Sequence, residues 1–152
     1  MAEVYFYQLS RQPLVEALAQ LLARALQNGW RVAVRGTDPV QLASLDSALW
    51  TAEAGSFLPH GLAGGAQDAD QPILLTLSPQ AANQPHCVML IDSAALDATD
   101  FSLPERTCVI FDGNDPASLE NARAQWRQAT DSGTRAVYWA EEHGKWLKKA
   151  ER

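Results

Sequence analysis

Short apolar runs alternate with amphipathic stretches along most of this chain. Several of the runs are almost continuously apolar, which is typical of strands buried on both faces of a sheet. The runs that predict strands are Val4–Tyr7, Arg31–Arg35, Ile73–Leu77, Cys87–Ile91, Cys108–Phe111 and Arg135–Trp139.

Apolar residues recur at helical spacing in three of the intervening segments. The first helix is expected to open at Pro13 and to end at Asn28–Gly29. The second is expected to run from the N-cap Asp38 to Trp50, and the third from the cap at Asp115 to about Asp131. We also expect a loop over 51–72, which is rich in glycine and proline, and a short charged terminal helix over Glu142–Glu151.

Strands that alternate with helices predict one α/β domain, with a mostly parallel sheet covered by helices on both faces. The 152 residues suit a single domain. Such sheets often bind nucleotides, but no glycine follows the first strand in Gln8–Arg11, and Gly144–Lys145 is followed by Trp146 instead of a hydroxyl residue. The sequence therefore predicts a Rossmann-like sheet without a phosphate-binding loop.

Charge is distributed unevenly along the chain. The net charge is −6, which disfavours binding of DNA or RNA by the whole surface. From Arg123 to Arg152, however, seven basic side chains face four acidic ones, and Trp126, Trp139 and Trp146 lie among them. A basic and aromatic region on an acidic protein suits a short acidic peptide with an apolar end.

The third predicted helix carries the clearest candidate site. Arg123, Trp126, Arg127 and Thr130 stand at i, i+3, i+4 and i+7, and so they share one face. Guanidinium groups on either side of an indole would bind a carboxylate, and the indole would bind an apolar side chain of the same ligand. The alternative is a half-buried core tryptophan between two solvated arginines, and the pattern does not separate these interpretations. Trp50, at the end of the second predicted helix, likewise suits either core packing or a binding site.

Two other functions are compatible with parts of the sequence. Asp92 and Asp112 end neighbouring apolar runs and would suit a magnesium-dependent phosphohydrolase, although aspartates at strand ends more often cap turns. Direct binding of single-stranded nucleic acid, with bases stacked on the tryptophans, is a further possibility that the net charge disfavours.

Apart from these two aspartates, nothing in the sequence indicates a metal or a cofactor. The three histidines lack metal-ligand spacing, and Cys87 and Cys108 are expected to be buried thiols. The N-terminus lacks the features of a signal peptide, and the apolar runs are too short to cross a bilayer, so we expect a cytoplasmic protein.

Several fragments, taken in order, resemble the chi subunit family of bacterial DNA polymerase III. The most specific are the pair Leu45-Asp46-Ser47-Ala48-Leu49-Trp50 and Ser56-Phe57-Leu58-Pro59-His60-Gly61-Leu62-Ala63-Gly64. Others are Phe6–Leu9, Gly29–Val34, Leu90–Asp92, Ile110–Gly113, Ala122–Arg123 with Trp126–Arg127, Tyr138–Trp139 and Gly144–Trp146.

This resemblance implies a non-catalytic accessory subunit of the clamp-loader complex. Such a subunit binds the acidic C-terminal tail of single-stranded-DNA-binding protein and links it to the holoenzyme. By position, Arg123, Trp126 and Arg127 match tail-binding residues, and Trp50 matches a family tryptophan near the same site. The resemblance also implies a psi subunit partner, for which no motif stands out here, and a monomer that joins a larger assembly.

Overall fold

One eight-stranded sheet organises the computed structural model, which describes residues 2–51 and 58–152. The strand order is β3-β4-β2-β5-β6-β1-β7-β8, and all neighbours are parallel except the antiparallel pair β7 and β8. The predicted fold class is confirmed. The strands are β1 (Glu3–Leu9), β2 (Val32–Arg35), β3 (His60–Leu62), β4 (Ile73–Thr76), β5 (Cys87–Leu90), β6 (Arg106–Asp112), β7 (Ala136–Glu142) and β8 (Lys145–Glu151).

Within the described residues, three α-helices cover the two faces of this sheet. They are α1 (Leu14–Gln27), α2 (Pro39–Thr51) and α3 (Pro116–Asp131), and short 3-10 helices occur at Asp68–Asp70 and Ala98–Ser102. The helices α1 and α2 pack on one face, against residues such as Val34 and Ile110. On the other face α3 packs against residues such as Phe6 and Val109. Burial on both faces explains why the central strands are continuously apolar.

The start of α3 follows the predicted capping chemistry. The carboxylate of Asp115 accepts a hydrogen bond from the backbone N–H of Ala117 at 3.3 Å, and Pro116 occupies the first helical position. The helix then buries Ala122, Gln125 and Ala129. The opposite side of the helix is left facing solvent.

The predicted terminal helix is wrong. Residues Lys145–Glu151 form β8, which pairs antiparallel with β7. His143 and Gly144 make a two-residue turn with φ values of +53° and +76°, which favours a hairpin because both residues adopt the left-handed region. Trp146 packs edge-on against Tyr7 at 5.1 Å, so contact with the sheet outweighs the helical propensity of the lysines.

The predicted loop over 51–72 is only partly correct. Residues 52–57 lie outside the described part of the chain. Beyond them, β3 pairs with β4, and a 3-10 helix follows at Asp68–Asp70. Buried His60 holds this segment, because its ring nitrogens lie 2.6 Å from the carbonyl oxygen of Leu58 and 3.1 Å from that of Asp46. A three-residue strand is too short to show a periodic pattern.

Candidate functional site

Trp126 lies where α3 crosses β1 and β7. Its ring packs edge-on against Phe6 at 5.4 Å and against Tyr138 at 5.9 Å. The buried Gln125 side chain donates a hydrogen bond to the Ala94 carbonyl oxygen at 2.8 Å and fixes the helix on the sheet. Trp126 is half-buried, so part of the indole packs into the core and part faces outward.

The outward part of Trp126 forms the floor of an open groove of about 550 Å³ between α3 and the β7–β8 hairpin. We call it the α3–β8 groove. Four of its nine lining residues are basic and none is acidic. The lining residues are Gln8, Leu119, Arg123, Trp126, Arg127, Tyr138, Lys149, Ala150 and Arg152.

The basic side chains of the groove are held only loosely. Arg123 is 4.0 Å from Glu120, one turn earlier in α3, and 61% of the Arg123 side chain is exposed. No ion pair involves Arg127 among residues 2–51 and 58–152. These guanidinium groups are therefore available to a ligand, because exposed ion pairs contribute little free energy.

Tyr138 forms the wall of the groove beside Trp126. Its hydroxyl donates a hydrogen bond to the side-chain oxygen of Gln8. Burial raises the pKa of Tyr138, and the nearby positive charge of Arg123 opposes that rise. The phenol is therefore neutral at pH 7 and adds no negative charge to the groove.

The two interpretations of the α3 face describe one arrangement. Trp126 is a core residue on its Phe6 side and a groove residue on its solvent side. Arg123 and Arg127 lie on either side of it along the helix. The arrangement offers an apolar surface next to planar donors that fit carboxylates.

Trp50 is not brought together with these residues. It ends α2, on the sheet face opposite α3, and its ring lies 4.1 Å from the ring of His60 in the edge strand β3. Its side chain is 50% exposed. The expectation that Trp50 lies near the same site is wrong, because α2 and α3 cover opposite faces of the sheet.

Sequence reasoning missed the β7–β8 side of the groove. Tyr138, Lys149 and Arg152 line it only because the C-terminal residues form a strand. The signal in the sequence was His143-Gly144 between two runs with aromatic residues, which is typical of a hairpin turn.

The family comparison gives the context of this site. A family model described as DNA polymerase III chi subunit, HolC, matches residues 1–136. The chain belongs to this chi subunit family. The resemblance seen in the sequence is thereby confirmed. Members of this family are accessory subunits of a DNA polymerase and not its catalytic subunit.

Curated relatives carry the same family name. "DNA polymerase III subunit chi" of Pseudomonas aeruginosa is 29% identical over 136 residues, which cover 88% of this chain and 92% of that protein. The Escherichia coli protein of that name is 32% identical over 80 residues, or 48% of this chain and 54% of the relative. The "Probable DNA polymerase III subunit chi" of Rickettsia prowazekii is 28% identical over 91 residues, and the match spans 60% of this chain and 55% of that relative.

The match to the chi family includes α3 and ends at the start of β7. Arg123, Trp126 and Arg127 are therefore inside the matched region. Lys149 and Arg152, on the opposite side of the groove, lie beyond it.

The strand-end aspartates line a different crevice, at the carboxyl ends of β1 and β6. Asp92 accepts a hydrogen bond from the Thr37 hydroxyl at 2.6 Å, and Asp112 accepts one from the backbone N–H of Asn114 at 2.9 Å. Within the described residues, no group of three or more His, Cys, Asp or Glu side chains could hold a metal ion. Asp112 thus caps its own turn, while Asp92 is bonded to a side chain that follows β2, so each carboxylate already has a partner within the protein.

A carboxylate of the protein itself is bound by the backbone segment just before α1. The backbone N–H groups of Ser10, Arg11 and Gln12, just before α1, donate to Glu141 Oε1 at 2.9, 3.2 and 3.1 Å. These hydrogen bonds, above all the one from Ser10, lower the pKa of Glu141. In α/β nucleotide-binding folds a phosphate takes this place before the first helix. Glu141 therefore already accepts hydrogen bonds from these three N–H groups, as a bound anion would.

The three C-terminal tryptophans do not form one surface. Trp126 lies on the α3 face, whereas Trp139 and Trp146 pack on the α1 face beside Tyr5 and Tyr7. This separation argues against a continuous stacking platform for single-stranded nucleic acid. Cys87 and Cys108 are buried free thiols, as expected, and a hydrogen bond from the Cys87 thiol to Cys108, together with burial, raises the pKa of Cys87.

The helices of this chi family member are short or polar. No helix in the described part of the chain is both long and apolar enough to cross a membrane.

Proposed function

We propose that this protein is an accessory subunit of DNA polymerase III that binds the acidic C-terminal tail of single-stranded-DNA-binding protein in the α3–β8 groove. The tail would thereby be linked to the rest of the holoenzyme. The observation that carries the proposal is the half-buried Trp126 between Arg123 and Arg127, in a groove with four basic and no acidic lining residues. Membership of the chi family supports it.

The chemistry of the groove fits the chemistry of such a tail. The apolar side chain at the end of the tail would lie against Trp126, Leu119 and Tyr138. The terminal carboxylate and nearby acidic side chains would accept hydrogen bonds from Arg123 and Arg127. The groove is open and small, so we expect a dissociation constant on the order of micromolar, or about −8 kcal/mol.

Partners inside the polymerase assembly need a second surface. We propose that a psi subunit, where one is present, contacts this protein outside the groove, so that both partners bind together. We also propose that the protein acts in the cytoplasm as a monomer within that assembly, without a cofactor.

The site is tested by titrating a fluorescent tail peptide into the protein and its Arg123→Ala and Arg127→Ala variants. Each substitution should weaken binding about three- to thirtyfold, because it removes a charge-assisted hydrogen bond. Arg24→Ala is the matched control, since Arg24 is exposed on α1 on the opposite sheet face. Equal binding by folded Arg123→Ala and Arg24→Ala variants would refute the assignment of the site.

A further inference from the structure

Lys149 lies on the groove side of β8, next to an irregularity in the β7–β8 pairing. Tyr138 pairs with Ala150 and Trp139 pairs with Lys148, which leaves Lys149 as an extra residue between two ladder positions. Such a β-bulge changes the direction of a side chain and often lies beside a functional site. Here both Lys149 and Ala150 line the groove.

The ammonium group of Lys149 is already paired within the protein. Its Nζ lies 2.7 Å from Oε1 of Glu142, the last residue of β7, and the two side chains are 45% and 43% exposed. An exposed ion pair of this kind contributes little free energy, so a ligand carboxylate can replace Glu142 as the partner of Lys149 with little loss of stability. Glu142 does not line the groove itself, which leaves the path to Lys149 clear.

Lys149 and Arg123 stand on opposite walls of the groove, one on β8 and the other on α3. A ligand whose apolar end lies on Trp126 and whose carboxylate is bound by the α3 arginines would extend toward or along β8. Acidic side chains further from the peptide end would then meet Lys149.

We infer that Lys149 is a second anchor of the groove, which binds acidic side chains upstream of the peptide's apolar end, and that Glu142 competes with the peptide for it. This inference rests on the proposed peptide-binding function. It adds a selection rule, namely that peptides with acidic residues before the end are preferred over peptides with the same end alone. Glu142 sets the strength of that preference.

The experiment uses two peptides with the same apolar last residue and free carboxylate. One carries upstream aspartates, and the other carries asparagines at those positions. Both are titrated into the wild-type protein and into the Lys149→Ala, Glu142→Gln and Lys149→Ala/Glu142→Gln variants. Lys148→Ala is the matched control, because Lys148 is adjacent in β8, pairs with Glu151 and does not line the groove.

For the aspartate peptide, Lys149→Ala should weaken binding about two- to fivefold, and Glu142→Gln should strengthen it by a similar factor. The double variant should bind like Lys149→Ala, because Glu142 acts only through Lys149. The asparagine peptide should bind all four proteins equally.

Two results would overturn the inference. One is unchanged binding of the aspartate peptide by Lys149→Ala when Arg123→Ala still weakens it, which leaves the proposed function intact. The other is tighter binding by Glu142→Gln that persists without Lys149, which would mean that Glu142 acts by general repulsion. If Arg123→Ala also left binding of the aspartate peptide unchanged, the proposed function itself would be refuted.

Discussion

At the residue scale, Trp126 belongs to both the core and the groove. One side of the indole packs on Phe6 and Tyr138, and the other lines the ligand surface. The positions of Arg123, Trp126 and Arg127 on one helix face could be predicted, because helical spacing fixes which side chains are neighbours. The position of Lys149 could not, since it depends on the pairing of β8 with β7, which local spacing does not reveal.

The double role of Trp126 predicts that its two functions can be separated by substitution. Trp126→Ala should lower the free energy of unfolding by about 2–4 kcal/mol, because it leaves a cavity beside Phe6. Trp126→Phe should preserve the fold and weaken peptide binding only. Denaturant unfolding and peptide titration of both variants test this, and a Trp126→Ala protein as stable as the wild type would contradict the packing described.

A second residue-scale prediction concerns the buried pair of Arg35 and Asp100. Two guanidinium nitrogens of Arg35 lie 3.2 and 2.5 Å from the carboxylate oxygens of Asp100, and both side chains are almost fully buried. Asp100→Ala should cost about 3–5 kcal/mol of unfolding free energy, because it leaves the Arg35 charge buried and unpaired. The exposed Asp131 provides the control, since Asp131→Ala should change stability by less than about 0.5 kcal/mol.

At the element scale, the β7–β8 hairpin forms one side of the groove and also holds the segment before α1. Its groove side presents Tyr138 and Lys149, and its other side presents Glu141 to the backbone before α1. The three α-helices and the strands β1, β2, β4, β5 and β6 could be predicted from periodicity and capping residues, whereas the three-residue β3 could not. The hairpin could not, because a lysine-rich segment has no strong strand propensity and is held by Trp146 and by pairing with β7.

The contact of Glu141 with the segment before α1 predicts acid-sensitive stability. Glu141→Gln should lower the free energy of unfolding at pH 7 by about 1–3 kcal/mol, because three N–H groups lose a charged acceptor. The folded pKa of Glu141 is lowered, so its contribution is present above the ordinary glutamate pKa of about 4.3 and is lost as the pH falls through the lowered value.

The difference in stability between wild type and Glu141→Gln should therefore narrow as the pH is lowered from 7 toward 3. Urea titrations at a series of pH values measure this difference. The neighbouring Glu142→Gln variant serves as the control, since Glu142 has no such backbone contacts among the described residues. A difference that stays constant with pH would show that Glu141 is not held as a carboxylate.

At the scale of the whole molecule, the sheet separates the aromatic residues that the sequence places together. Trp126 faces one side, whereas Trp50, Trp139 and Trp146 belong to the other. The sequence alone predicted the α/β class because parallel strands are uniformly apolar. It could not assign residues to a face, because that assignment depends on strand order and on which helices cross which strands.

The distribution of charge also acts at this scale. A net charge of −6 with a basic groove favours binding of a short anionic peptide. Salt weakens the attraction between exposed charges, and at 0.1 M the Debye length is about 10 Å. Affinity for the tail should therefore fall as salt rises, while the contribution of the apolar end should remain.

The most direct test is calorimetric titration of the protein with an acidic peptide from the C-terminus of single-stranded-DNA-binding protein, at low and high salt, with and without the last residue. We predict binding on the order of micromolar at low salt, weaker binding at high salt, and loss of binding when the apolar last residue is removed. Absence of binding at either salt, or equal binding of the shortened peptide, would contradict the proposed function.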